Sequence, residues 1–342
     1  MGPGHRRWRP ILVVMALVLG GVMLVSIGTG AVRIPPLRAL TILYGAVTGA
    51  DTGPEGTILL VLRLPRVLLA MVVGAALAVS GAAFQGLFRN PMADPYIIGV
   101  SAGASIGAAL ALALSPSFIG LWVWLTHVAL PVLAFAGAMV SILVVYRLAQ
   151  VGRKVPVMNL LLAGVAVSSF LTAAVSAIMI TSERRLWTIM FWLMGGFSGR
   201  GWSHLAAALP LFAVGGLVVW VHSRPLNAML LGEEPAGYLG VDVDQVKRRL
   251  LFAGGMLTAA AVAVGGVIGF VGLIVPHMVR LCVGPDHRLL VPASALAGAI
   301  FLCLSDLAAR VVLAPAELPV GIVTALCGSP FFIYLLRRQT RR

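Results

Sequence analysis

Long apolar runs separated by short polar segments make up most of this 342-residue chain. A helix rises about 1.5 Å per residue and needs roughly 20 residues to cross a hydrocarbon core of about 30 Å. Nine runs reach or approach that length: residues 11–30, 66–87, 96–114, 126–147, 157–181, 203–222, 249–270, 289–311 and 321–337. A shorter run at 271–283 adds a short or half-buried helix. The pattern predicts an all-α polytopic integral membrane protein with about ten transmembrane helices, forming a single domain over residues 1–342.

The composition also indicates a membrane protein. Hydrophobic residues make up 60% of the chain and charged residues 11%, whereas a soluble chain has about 25% charged residues. An ordinary soluble domain and a disordered chain are therefore excluded, and the net charge of +14 is not interpreted as a nucleic-acid footprint. Ten spans place 17 of the 25 basic residues on the side of the two termini and 8 on the other. The positive-inside rule then predicts that both termini are cytoplasmic.

No energy source is visible in the sequence. The only lysines are Lys154 and Lys247, and neither follows a glycine, so the phosphate-binding motif G-x-x-x-x-G-K-[ST] is absent. We also find no Ser/His/Asp or Cys/His constellation and no metal-ligand spacing. The chain is therefore expected to be no enzyme, with no catalytic residue and no metal site. A polytopic chain of this kind needs a partner that supplies energy.

An ion-coupled secondary transporter, acting without an ATPase, is the alternative. Such carriers place several ionisable groups near the middle of the membrane. Asp306 is the only carboxylate that lies well inside an apolar run, and Arg310 follows it at i+4 on the same helix face. The simpler interpretation of Asp306 is therefore a structural ion pair, and a transport role is kept as the second hypothesis.

Glycine is frequent, with 39 residues, and it is clustered at two places. Gly99, Gly103 and Gly107 form a small-residue stripe on the third predicted helix, which favours close helix packing. Gly269 and Gly272 belong to a second cluster, which leads into a proline inside an apolar run. This cluster predicts a broken helix, which membrane proteins tolerate where the break faces protein or a water-filled cavity. It indicates a translocation pathway.

The most polar stretch, residues 224–246, lies between the runs 203–222 and 249–270. Its sequence predicts two short helices joined at a glycine turn. Leu226, Met229 and Leu230 recur at i, i+3 and i+4, which gives one apolar face, and two acidic residues follow. An amphipathic helix outside the membrane fits a groove in a partner protein. The alternative is a solvated connecting loop.

Several motifs, in order along the chain from about residue 30, resemble one transporter family. They are Leu64-Pro65-Arg66, Gly74 through Gln85, Asn90-Pro91, Gly99-Val100-Ser101, Gly103-Ala104, the Gly-Glu-Glu-x-Ala-x-x-Leu-Gly loop at 232–240, Gly269 through His277, and Glu317-Leu318-Pro319-Val320-Gly321. Together they resemble the permease subunit of ABC importers for iron siderophores, haem and cobalamin. The resemblance implies that the chain moves a metal chelate into the cytoplasm, with ferric siderophore first and haem or cobalamin next.

The same resemblance implies a set of partners. They are a second permease copy, as a homodimer or a pair of paralogues, two cytoplasmic ATPase subunits that use ATP and Mg, and an extracytoplasmic substrate-binding protein. No cofactor is expected on this chain and no nucleic acid among its partners. The expected location is the bacterial or archaeal cytoplasmic (inner) membrane. The dimer axis would carry the substrate, lined in part by the fifth and tenth helices.

Three groups of residues take their expected roles from the resemblance. The loop at about 224–246 would couple the chain to the ATPase through Leu226, Met229, Leu230, Gly232, Glu233, Glu234, Ala236, Leu239 and Gly240. The binding protein would dock through its acidic side chains on Arg63, Arg66 and Arg310, for which anchoring of helix ends at lipid head groups is the alternative. The residues of the pathway, or of the packing around it, would be Gly99, Gly103, Gly107, Gly269, Gly272 and Pro276.

Overall fold

The computed structural model describes residues 5–30, 32–114, 128–152 and 154–339, and these residues form fifteen α-helices. The helices are α1 (His5–Gly28), α2 (Pro36–Thr48), α3 (Gly53–Thr57), α4 (Leu64–Leu87), α5 (Val100–Ala113), α6 (Leu130–Ala149), α7 (Val157–Thr181), α8 (Leu186–Leu193), α9 (Trp202–Val221), α10 (Ser223–Met229), α11 (Glu233–Tyr238), α12 (Val243–Gly265), α13 (Val271–Val283), α14 (His287–Val311) and α15 (Val320–Gln339). The first two residues of the predicted span 126–147 lie outside the described residues.

Seven helical segments in the described part of the chain are long and apolar enough to cross a membrane. They are Trp8–Gly28, Gly53–Leu87, Leu130–Ala149, Val157–Thr181, Trp202–Val221, Val243–Gly265 and His287–Val311. Three shorter apolar helices accompany them: Val100–Ala113, Val271–Val283 and Val320–Tyr334. The predicted all-α class is confirmed. The count of ten spans and the cytoplasmic placement of both termini stay predictions.

The segment between the first two predicted spans is more ordered than we expected from the sequence. It contains α2, whose residues Ala39 and Ile42 are buried while Leu37 and Tyr44 are exposed. After α3, a π-helical stretch at Ile58–Arg63 continues directly into α4. A helix of 13 residues falls below the length of a membrane span, which is why the apolar runs did not reveal α2.

Close contacts between helix backbones hold the centre of the bundle. α4 packs against α14 where Gly74 faces Gly298, and a Cβ at Gly298 would lie 2.6 Å from the Cβ of Ala78. α5 packs against α6 in the same way, since a Cβ at Gly103 would lie 2.5 Å from the carbonyl oxygen of Gly137. Small residues at such crossings let helices approach each other in lipid, where hydrophobicity alone does not drive association.

The predicted glycine stripe is divided by the structure. Gly103 and Gly107 lie inside α5 and face the backbone of α6. Gly99 instead precedes the helix, with a φ of 80° that favours glycine. Gly99 is the N-terminal cap of α5 rather than a residue inside it, because a turn at Pro95–Ile98 precedes the helix. Its carbonyl oxygen accepts from Ser141 of α6, so Gly99 also contacts α6. A role of these three glycines in the pathway stays a prediction.

The predicted broken helix is present between α12 and α13. α12 ends at Gly265, α13 begins at Val271, and the backbone between them is not helical. Positive φ angles at Gly266 and Phe270 turn the chain, so the break comes before Pro276, which lies inside α13. The Tyr96 hydroxyl donates to the carbonyl oxygen of Ile268 at 2.8 Å. The break is thus supported by protein groups, as membrane proteins require.

Candidate functional site

The polar stretch at 224–246 folds into two short helices, α10 and α11, joined by a turn at Gly232, which has a φ of 123°. We call the end of the bundle that carries this stretch the loop end. Leu226 and Met229 of α10 and Ala236 of α11 are fully buried. The apolar face predicted for a partner is therefore largely covered by the chain itself. Leu230, the third predicted member, remains partly exposed.

A different set of apolar side chains faces outward on the same loop. Leu231, Tyr238 and Leu239 have exposed fractions of 70%, 90% and 66%. With Leu230 they form what we call the loop patch. Leu230 and Leu239 belong to the coupling set predicted from the sequence, whereas Leu231 and Tyr238 do not. Tyr238 is the last residue of α11 and Leu231 lies in the turn after α10, and periodicity over one or two turns carries little information there.

Polar contacts attach the loop to the neighbouring helices. Glu233, at the start of α11, forms an ion pair with Lys247 of α12 at 2.6 Å. Asn227 of α10 bonds to Asp286 and His287 at the start of α14. Glu234 is exposed, and its carboxylate forms no ion pair with another described residue. These contacts attach the loop to α12 and α14, and its docking on a partner stays a prediction.

The opposite end of the bundle carries a cluster of four charged side chains, which we call the Asp306 cluster. Asp306 lies between two arginines: its Oδ1 accepts from Arg66 Nε and Nη2 at 3.0 and 2.9 Å, and its Oδ2 lies 3.0 Å from Arg310 Nε. Arg66 Nη1 also donates to both oxygens of Glu317, at 2.9 and 3.0 Å. The side chain of Asp306 is 1% exposed, and that of Glu317 is 37% exposed.

The three arginines predicted to dock a binding protein come together at this end, but they hold groups of their own chain. Arg310 donates to the carbonyl oxygen of Ser26, near the end of α1, and to that of Thr29, just after the helix. Arg63 donates to the carbonyl oxygens of Ile27 and Val32. These arginines therefore tie α1 to α4 and α14. Their docking role stays a prediction.

The geometry of Asp306 bears on the alternative of ion coupling. The i,i+4 ion pair with Arg310 is present, and Arg66 adds a second positive charge. Both carboxylate oxygens thus lie beside guanidinium groups, although Oδ2 accepts no hydrogen bond among the described residues. In the described residues no group of three His, Cys, Asp or Glu side chains could hold a metal ion. The structural interpretation of Asp306 fits this geometry.

A cavity of about 380 Å³ lies beside the Asp306 cluster. Arg66 and Glu317 line one part of it, and Gly266 at the helix break lines another. Phe191, which is 60% exposed, contributes an aromatic wall, while Trp192 and Phe197 lie buried behind it. The Trp192 Nε1 donor has no hydrogen-bond partner among the described residues. The cavity thus connects the break between α12 and α13 with the charged end of the bundle.

Comparisons with known proteins agree with this architecture. The chain is 49% identical over 309 residues to the cobalamin import system permease protein BtuC of Halobacterium salinarum, covering 90% of this chain and 81% of the relative. It is 44% identical over 279 residues to the hemin transport system permease protein HmuU of Yersinia pestis, covering 81% and 82%. It is also 44% identical over 325 residues to the ABC transporter permease protein YvrB of Bacillus subtilis, covering 93% and 91%.

The fold is similar to a solved structure described as an inward-facing metal-chelate type ABC transporter. The TM-score is 0.82 at 32% sequence identity, and the match covers 96% of this chain and 99% of that one. The model of the FecCD transport family matches residues 15–338. The resemblance inferred from the motifs is thereby confirmed, and the chain is a multi-pass membrane protein. It belongs to the FecCD transport family of ABC transporter permeases.

Proposed function

We propose that this chain is the permease subunit of an ATP-driven importer that moves a metal chelate into the cytoplasm. A homodimer of the chain would work with two cytoplasmic ATPase subunits and an extracytoplasmic binding protein, in the bacterial or archaeal cytoplasmic membrane. The observation that carries the proposal is the arrangement of the two ends. An apolar loop patch projects from one end, and a cavity with a charged rim opens at the other.

We place cobalamin first among the candidate chelates and haem second. Relatives that cover four fifths or more of this chain are named for cobalamin and hemin. Ferric siderophore, the first candidate from the sequence, is therefore the third candidate. Phe191 presents an exposed aromatic ring to the cavity and suits a flat macrocycle, since aromatic side chains pack well against planar rings.

ATP-driven uptake tests this proposal directly. The permease, reconstituted in liposomes with its ATPase and binding protein, should accumulate cobalamin only when ATP is present on the ATPase side. An ATPase variant unable to hydrolyse ATP provides the control, and hemin and a ferric siderophore are compared in parallel. Uptake by the permease alone, driven by a proton gradient, would instead support a secondary transporter.

At the loop end, we propose that the loop patch seats in the ATPase. The buried side chains then support the patch, because they pack the two short helices against the bundle: Leu226, Met229 and Ala236. Gly232 and Gly240 shape the turns on either side of α11, with φ angles of 123° and 83°. The coupling set predicted from the sequence thus divides into contact residues and supporting residues.

Leu239→Asp should weaken binding of the ATPase about tenfold or more. Burying a carboxylate in an apolar contact is unfavourable, and exposed apolar anchors carry much of the binding energy of an interface. Affinity is measured with the permease in nanodiscs and the purified ATPase. Val47→Asp is the matched control, because Val47 is also strongly exposed but lies on α2 at the opposite end. Equal ATPase affinity of the two variants would contradict the assignment of the loop patch.

At the opposite end, we propose that the binding protein docks over Arg63, Arg66 and Arg310. Arg66 Nη1 is held by Glu317, which is half-exposed, so a carboxylate of the binding protein has to replace Glu317 to reach it. Glu317 is the exposed member of the Asp306 cluster, and exposed charges mainly steer and orient a partner. Docking is therefore expected to weaken as the salt concentration rises.

A further inference from the structure

Asn227 attaches the loop at 224–246 to the start of α14 by hydrogen bonds. The Asn227 amide Nδ2 donates to Asp286 Oδ1 at 2.6 Å, and its Oδ1 accepts from the backbone N–H of His287 at 2.9 Å. The Nδ1 atom of the His287 ring lies 2.9 Å from the same Oδ1. Asp286 is itself the N-terminal cap of α14, accepting from the N–H of Arg288. Asn227 thus binds the first turn of α14 as donor and as acceptor.

This joint leaves little room for the loop to slide. His287 is fully buried, and a Cβ at Gly86 of α4 would lie 2.6 Å from His287 Nε2 and 3.0 Å from Leu226 Cδ2. α4, α10 and α14 therefore meet at a single tight contact. Interiors packed in this way transmit displacement, because their neighbours cannot absorb it.

α14 leads from this joint to the Asp306 cluster as one helix of 25 residues, with Pro292 in its second turn. The 20 residues from Asp286 to Asp306 correspond to about 30 Å of helix. At the far end of α14, Asp306 binds Arg66 of α4, and Arg310 binds the end of α1. Arg66 in turn binds Glu317, in the segment that leads into α15. The loop end and the charged end are thus connected by hydrogen bonds, ion pairs and one helix.

We propose that Asn227 is a positioning residue that fixes the coupling loop to α14, so that movement of the loop reaches the Asp306 cluster and the cavity beside it. The inference rests on the proposed function, because an ATPase has to move the loop. The second attachment of the loop, Glu233 with Lys247, involves a carboxylate with a side chain 42% exposed to solvent. Exposed ion pairs hold their partners weakly, so Asn227 is the firmer connection.

Exchanging the two partners of the joint tests this role. Asn227→Asp places a carboxylate against Asp286, and the two like charges repel each other, so the loop should separate from α14. The number of ATP molecules hydrolysed per substrate transported should then rise about tenfold. Combining it with Asp286→Asn restores a donor facing an acceptor, and asparagine remains a good helix cap. The double variant should return to within about twofold of the wild type.

A second readout follows the far end of α14. Ser198 is exposed and lines the cavity beside the Asp306 cluster, so Ser198→Cys, with Cys282 and Cys327 replaced by serine, reports access to it. ATP should change the rate of maleimide labelling in this background. Adding Asn227→Asp should abolish the change, and the double exchange should restore it. A merely structural role would lower thermal stability without removing this ATP response.

The outcomes separate the inference from the proposed function. A wild type without ATP-driven uptake would overturn both. An active wild type whose Asn227→Asp variant keeps the same coupling ratio and the same ATP-dependent labelling would overturn only the role of Asn227. If Asn227→Asp does not fold, Asn227→Ser is used, since it removes the bond to Asp286 without adding a charge. Normal coupling in that variant would equally overturn the role.

Discussion

Replacing Asp306 with alanine should lower the free energy of unfolding by about 3–5 kcal/mol, the usual cost of removing one partner from a buried ion pair. Asp306 is almost fully buried and faces Arg66 and Arg310, whose side chains are only 12% and 7% exposed. Without the carboxylate, two buried guanidinium groups lie close together, and only Glu317 remains as a counter-charge. The ends of α1, α4 and α14 should separate as a result.

Thermal and denaturant unfolding of the permease in detergent measure this effect, with the wild type at the same protein concentration. Asp306→Asn keeps the shape and one acceptor, so its loss of stability should be smaller. Glu317→Gln is the matched control, because it alters the half-exposed carboxylate on the same Arg66 and should cost less than about 1 kcal/mol. If Asp306→Ala unfolds at the same temperature as Glu317→Gln, the cluster does not stabilise this end of the bundle.

The sequence predicted the long helices because length and hydrophobicity are local properties. The break between α12 and α13 was also visible, since Gly266 and its neighbours interrupt an otherwise apolar run. Its position was visible as well, because the predicted runs 249–270 and 271–283 meet where α13 begins, and Pro276 lies inside the shorter run. α2 escaped detection because a short amphipathic helix resembles an ordinary connection.

The functional surfaces were harder to predict than the helices. Spacing at i, i+3 and i+4 showed that α10 has an apolar face, but not whether the chain itself or a partner covers that face. In the structure Leu226 and Met229 are covered, and Leu231 and Tyr238 are exposed. Packing between elements that are distant in sequence decides this, and one short helix does not contain that information.

The arginines show the same limit. Their place at one end of the bundle followed from the predicted topology, and Asp306 with Arg310 followed from helix geometry. The partners of Arg66 did not, because Asp306 and Glu317 lie 240 and 251 residues away along the chain. Such pairs form only when α4 and α14 pack, so the fold has to be known before the pairs are visible.

Gly81→Ala should lower the free energy of unfolding by about 1–3 kcal/mol, the range for inserting a methyl group into a well-packed core. The new Cβ would overlap the backbone of Gly272, with the carbonyl carbon at 2.6 Å and the Cα atom at 2.8 Å. Backbone atoms have no rotamer to change, so α4 and α13 must move apart. We expect an effect at the upper end of the range.

Gly216→Ala in α9 separates this overlap from the general preference of helices for alanine. Gly216 also lies inside a long helix, but a Cβ there would meet nothing within 4 Å. Alanine is favoured over glycine in a helix by about 0.5–1 kcal/mol, so this variant should be slightly more stable than the wild type.

Unfolding temperature and ATP-driven uptake are measured for both variants. Because Gly272 follows the break directly, Gly81→Ala should also slow uptake, whereas Gly216→Ala should leave it unchanged. Equal stability of the two variants would show that α4 and α13 do not depend on this contact.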